Sequence, residues 1–221
     1  MKTLLSIICS KKVKNSLILI FLLFLYIFIS AFSYVNAVSS NLKDSVFRLH
    51  VIANSDSEED QALKYKVRDN LLKYMNSLCT NIDSKDEAIY LVNSHLEDFK
   101  KIAQDTILEN GFNYSADVEI GNFSFPTKKY GDISLPAGMY DALRVKLGNA
   151  SGQNWWCVMF PPLCFVNVST GIVPDKSKEQ IKQELDDEEY SIITNVNSSE
   201  LKFKFGLIEW FMNNDIITAK K

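Results

Sequence analysis

Histidine is scarce in this chain. His50 and His95 are the two present in 221 residues, and neither has a second ligand at metal spacing. No HExxH and no CxxC occurs, so a zinc site is not expected. A G-x-S-x-G elbow is missing, and so is a glycine loop that would cradle phosphate. Gly148-Asn149-Ala150-Ser151-Gly152 has the composition of a turn instead. No cofactor is implied. Internal repeats and low-complexity linkers are absent too, so the length fits a terminal signal and one compact unit. Acids are missing from the first 37 residues, which hold Lys2, Lys11, Lys12 and Lys14. Residues 38–221 therefore carry 20 basic against 27 acidic side chains, a net charge of −7. An acidic unit without a basic stripe is a poor nucleic-acid binder, and anionic headgroups repel it. A protein partner or a small ligand is left.

What is present begins with an export segment. Leu17 to Ile29 is an unbroken apolar run of thirteen residues behind a basic start, and Val35-Asn36-Ala37 offers small residues at signal-peptidase spacing. Residues 1–37 are either a signal peptide cleaved after Ala37 or an N-terminal membrane anchor. Leu17 to Val38 is long enough for a bilayer core of ~30 Å, while Ser30, Ser33 and Asn36 favour cleavage. Either way the basic flank stays inside and residues 38–221 form a single exported domain. Membrane contact is then confined to the N-terminal segment, if uncleaved.

The most unevenly composed stretch is QNWWCVMFPPLCFV, from Gln153 to Val166. Adjacent Trp155 and Trp156 point to opposite faces of a strand. Apolar residues on both faces predict a central strand sandwiched between layers, stopped by Pro161 and Pro162. Part of it is also a candidate aromatic contact patch. Cys157 and Cys164 flank the Pro-Pro turn, and an oxidising compartment favours a bridge between them. Cys79 falls near a helix end, as a buried thiol.

Upstream, Phe47, Leu49 and Val51 alternate with Arg48, His50 and Ile52 as a strand. Ser55 with Glu58 and Ser84 with Glu87 have capping-box spacing. They open two helices, one with the stripe Leu63, Val67, Leu71, Tyr74 and Leu78, the other running to Asn110-Gly111. A strand follows from Tyr114 to Ile120, then a loop to Gly138, a strand from Met139 to Leu147, and a hairpin loop into the tryptophan strand. Ser177 and Gln180 cap a short helix ending in the acidic run 186–189, and Leu201 to Phe211 suggests a final packed element. The order gives an α+β domain in which two helices of the N-terminal half pack on a mostly antiparallel sheet.

One catalytic pairing is conceivable: Cys157 as nucleophile with His50 as base, an extracytoplasmic cysteine hydrolase. A bridged thiol, or one flanked by tryptophans, is a poor nucleophile. Asn54-Ser55-Asp56-Ser57 is explained by helix capping. Alternatively, Arg48 and His50 at a strand end, with Asn54 and Asp56 beside the helix start, meet a partner. A cell-wall-binding module is a further alternative.

Three separated stretches carry a resemblance: FRLHVIANSDSEEDQALKYKVRD, FPTKKYGDISLPAGMYDALRV and NWWCVMFPPLCF, in that order behind an export segment. From about Asp44 to Val166 the chain resembles the stage II sporulation protein R family. The resemblance implies a signalling protein exported from the forespore of endospore-forming bacteria into the space facing the mother cell. It implies activation there of a membrane-embedded aspartic protease that processes pro-sigma-E, so a ligand and not an enzyme. No contact residues come with the likeness. From the residues themselves, the expected partner contact is Trp155 or Trp156, with Pro161 and Pro162 fixing the loop.

Overall fold

The computed structural model describes residues 11–78, 82–164, 173, 175–185 and 187–194, and the chain divides into two compact units, Met1–Ser40 and Asn41–Lys221. The apolar run lies in helix α1 (Lys11–Ser45). Within it, Val13–Ser30 is long and apolar enough to cross a membrane by length and composition. Its large side chains, Leu17 through Ile29, are exposed along the whole run. A helical segment of 18 residues spans roughly 27 Å, close to a bilayer core.

The second unit mixes helix and sheet, as expected. Its core is a four-stranded sheet built from β1 (Phe47–Ile52), β2 (Ala116–Phe125), β5 (Gly138–Leu147) and β6 (Asn154–Phe160), in the order β2-β5-β1-β6. β5 pairs with β1 in parallel, while β6 with β1 and β2 with β5 are antiparallel. One face is covered by α2 (Glu58–Leu78), α3 (Lys85–Ser94) and α4 (Leu96–Glu109). There Leu49, Val145, Val118 and Cys157 meet Leu63, Val67, Leu71, Val92, Phe99 and Ala103 in one core cluster. A second cluster covers the other face. It contains Leu42 and Val46, Ile133 and Leu135 of a hairpin, and Ile181 and Ile193 of two C-terminal helices. The hairpin is β3 (Lys128–Tyr130) with β4 (Ile133–Leu135); the helices are α5 (Asp175–Glu184) and α6 (Asp187–Thr194).

Several sequence expectations are corrected. Among the described residues the tryptophan strand is an edge strand, and the interior positions belong to β5 and β1. Apolar residues on both faces of β6 report covering layers, which here extend past the last strand; they do not report a strand's lateral place in the sheet. The loop 148–153 is not a hairpin. It crosses the end of β1, which lies between β5 and β6. The second helix is two helices, broken at His95 (φ −113°, ψ 20°), whose Nδ1 lies 3.2 Å from Tyr74 Oη and 3.0 Å from Asp98 Oδ2. The Ser84 cap holds, accepting from the Glu87 N–H at 3.3 Å, and Gly111 takes the left-handed φ of 82° past α4. At α2 the capping hydroxyl is Ser57, accepting from the Asp60 N–H at 3.2 Å, not Ser55. The expected loop before Gly138 contains the hairpin β3–β4 and the end of β2. Ser177 lies inside α5 and donates to the Pro162 carbonyl at 3.0 Å, while the acidic run opens α6 instead of closing α5. Cys79 and the stretch from Leu201 to Phe211 lie outside the described residues.

Candidate functional site

Trp155 and Trp156 leave β6 on opposite faces, as adjacent strand residues must. Trp155 stands opposite Val51 on the helical side. It meets Tyr65 of α2 edge-on at 5.3 Å, and the Arg68 guanidinium lies 4.3 Å from its ring centre. Trp156 stands opposite His50, stacks on the imidazole at 3.7 Å and meets Phe125 edge-on at 4.7 Å. Both tryptophans are partly buried.

His50 is 6% exposed and is held neutral. Burial pulls its pKa down to about 4, the Arg144 and Arg48 cations push the same way, and a hydrogen bond to Asn154 opposes them. His50 Nε2 lies 2.7 Å from Asn154 Oδ1. An amide oxygen only accepts, so Nε2 carries the proton.

Beneath the same face Arg48 is wholly buried. Its guanidinium carbon lies 4.0 Å from the Phe125 ring centre and 4.7 Å from that of Tyr140. Nη2 donates to Tyr130 Oη at 2.7 Å, which in turn donates to the Trp156 carbonyl at 3.3 Å. Among the described residues Nε and Nη1 have no hydrogen-bond partner. Burial lowers the pKa of this group, but an arginine starts so high that it keeps its charge. Cation–π contact with two rings offsets part of the desolvation cost.

Asn54 and Asp56 turn out to brace the site. Asn54 Oδ1 accepts from the Asn149 N–H at 2.9 Å, and Asp56 Oδ1 accepts from the Gln153 N–H at 2.7 Å. Together they hold loop 148–153 as it enters β6. Gly148 has φ 54°, and a Cβ there would collide with Asn54 Oδ1. Asp60 anchors the brace from below, accepting from Asn54 Nδ2 at 2.8 Å, Ser55 Oγ at 2.5 Å and Tyr114 Oη at 2.6 Å.

Cys157 and Cys164 form a disulfide, with Cα atoms 5.2 Å apart. Cys157 stands opposite Leu49, and its neighbour Trp156 opposite His50. The sulfur and the imidazole therefore lie on opposite faces of the sheet, so the cysteine–histidine pairing is not assembled. No group of three or more potential metal ligands comes together among the described residues.

Of the eight residues expected at a partner surface, Arg48 and His50 are buried, and Asn54 and Asp56 are engaged in the brace. Pro161 is buried and Pro162 partly so. What remains accessible is the tryptophan strand, which lines a cleft of about 750 Å³ between α2 and the β3–β4 hairpin. Lys64, Tyr65 and Arg68 form one wall, and Lys128, Lys129 and Tyr130 the other. The sequence reading missed these six. The lysine pair in FPTKKYGD was the available signal, hidden because a strand of three residues leaves too short an alternation to recognise.

Comparison with known proteins gives two findings. A family model described as stage II sporulation protein R matches residues 43–170. A protein of Bacillus subtilis (strain 168), described as stage II sporulation protein R, is 39% identical over 181 residues, covering 76% of this chain and 81% of its own. No solved structure matches significantly.

Proposed function

The chain belongs to the stage II sporulation protein R family, and from that premise we propose that it is an exported signalling ligand of endospore formation. It leaves the forespore and acts in the space facing the mother cell. There it activates a membrane-embedded aspartic protease that removes the pro-sequence of sigma-E. The observation that carries this reading is the family match over the folded unit; the apolar N-terminal helix and the disulfide, which fits an extracytoplasmic compartment, agree with it.

A ligand activates only by binding the active state of its receptor better than the resting one. Moving a receptor from about 1% to half active takes ~100-fold preference, roughly 2.7 kcal/mol. One aromatic anchor seated in the receptor can supply that much. Trp155 and Trp156, fixed by the disulfide-closed turn, are the anchors proposed here.

The test is reconstitution. The purified chain is added to membranes holding the protease and pro-sigma-E, and cleavage is followed by gel mobility. Wild type is expected to trigger processing, and Trp155→Ala or Trp156→Ala to reduce it at least about tenfold. The Cys157→Ser/Cys164→Ser form should act more weakly, because the bridge is worth about 2.5 kcal/mol to so short a loop. Absence of processing with folded wild type would overturn the proposal.

A further inference from the structure

We propose that the cleft along β6 binds a short acidic peptide segment of a protein partner, with carboxylates on the two basic walls and an apolar side chain against the tryptophans. This deepens the reading above and rests on it only for the identity of the partner.

Charge is the first argument. Residues 38–221 carry a net charge of −7, yet among the described residues Lys64, Arg68, Lys128 and Lys129 line the cleft against one acid, Asp69, with Asp56 nearby acting on Lys64. Arg68 is neutralised in part by that acid, at 2.7 Å. Among the described residues neither Lys128 nor Lys129 has an ion-pair partner. Lys64 is 1% exposed, with Nζ on Gln61 Oε1 and 3.1 Å from the Gln153 carbonyl, which points its charge at the end where the chain enters β6. Behind the opposite wall lies the buried Arg48 guanidinium, hydrogen-bonded to the Tyr130 that lines the cleft. A cation screened from water acts over a longer range than an exposed one. The field inside the cleft is therefore positive on a negative molecule, and low-dielectric walls focus it.

The second argument is the lining between the cations. Trp155, Trp156, Tyr65 and Tyr130 are partly buried or exposed aromatic rings that line the cleft along the β6 edge. Among the described residues the Trp155 Nε1–H is buried without an acceptor, which is unusual for a buried indole. Aromatic rings beside arginine are the composition of binding hot spots. A polyanion would use the cations and leave the rings idle. An acidic peptide with one large apolar residue uses both. The Pro-Pro turn satisfies the Val158 carbonyl through the Leu163 N–H at 3.1 Å, while Asn154 at the other end of the strand is exposed. The ligand is thus a short one, reaching β6 from its Asn154 end.

The test uses the full chain in detergent micelles and fluorescence anisotropy of a labelled acidic heptapeptide, EDEFEDE. Binding is expected, weakening with salt, and Lys128→Glu/Lys129→Glu should weaken it at least about tenfold. Lys129→Gln is a milder variant should the double reversal fail to fold. No binding up to ~1 mM peptide would overturn the proposal, and so would equal binding by the folded charge-reversed form. Polyphosphate of matched charge competing as well as the unlabelled peptide would also overturn it, marking a general polyanion site. The reconstitution assay separates the two claims. If wild type and K128E/K129E trigger processing equally, activation stands and the cleft is not the contact. If wild type fails there while peptide binding holds, the activator reading falls and the cleft assignment survives.

Discussion

His50 and Asp60 are buried titratable groups whose burial has opposite consequences. The His50 pKa of about 4 lies below the ~6.5 of an unfolded histidine, so the unfolded chain binds the proton first. Its contribution to stability is complete above pH ~6.5 and is lost as the pH falls toward 4, on the order of 3 kcal/mol in all. Asp60 is pushed up by burial, but hydrogen bonds from Ser55, Tyr114 and Asn54 outweigh this and hold it below the ordinary carboxylate range. Its contribution is present above pH ~4 and is lost as the pH falls through the lowered value. Urea midpoints measured against pH should resolve two windows. His50→Gln is expected to flatten the upper one, and Asp60→Asn the lower one. If His50→Gln kept the whole slope between pH 6.5 and 4, the buried neutral imidazole would be wrong. The sequence shows which residues titrate; whether burial or hydrogen bonding wins depends on neighbours such as Tyr114, 54 positions away from Asp60.

At the scale of elements, the hairpin β3–β4 is pinned to the sheet through Tyr130. Tyr130→Phe deletes the hydrogen bond to the buried Arg48 guanidinium and should cost about 1.5–3 kcal/mol in chemical denaturation. The double variant Arg48→Met/Tyr130→Phe removes the charge together with its partner and should recover most of that loss. Recovery failing to appear would mean that Arg48 contributes through its contacts with the Phe125 and Tyr140 rings more than through this hydrogen bond. Helix faces were legible in advance because Leu63, Val67 and Leu71 repeat at the helical period and all three are buried. Helix starts were less so. Ser55 and Ser57 both suit a cap, and the choice fell to Ser57 because Asp60 draws the Ser55 hydroxyl to its carboxylate. The break at His95 was invisible, since the apolar stripe runs through it.

At the scale of the molecule, the folded unit starts before its first strand. Leu42 and Val46 are 1% and 0% exposed in the second core cluster, and Lys85 Nζ donates to the Lys43 carbonyl at 3.1 Å. A chain beginning at Val38 should therefore keep its thermal midpoint, while one beginning at Phe47 should lose about 2–5 kcal/mol for each large buried side chain removed. Equal midpoints would show that residues 41–46 add nothing to the core. The sequence by itself determined the apolar N-terminal run, the mixed helix-and-sheet class, the faces of α2 to α4, a cysteine spacing that permits a bridge and the family likeness, because each is written in local order, period or spacing. Only the tertiary structure decided that β6 is an edge strand, that Arg48 and His50 are buried, and that two lysine-bearing walls meet across the tryptophans. Those facts depend on which strands pair and which distant segments close over them, and contacts of that range leave no periodic trace along the chain.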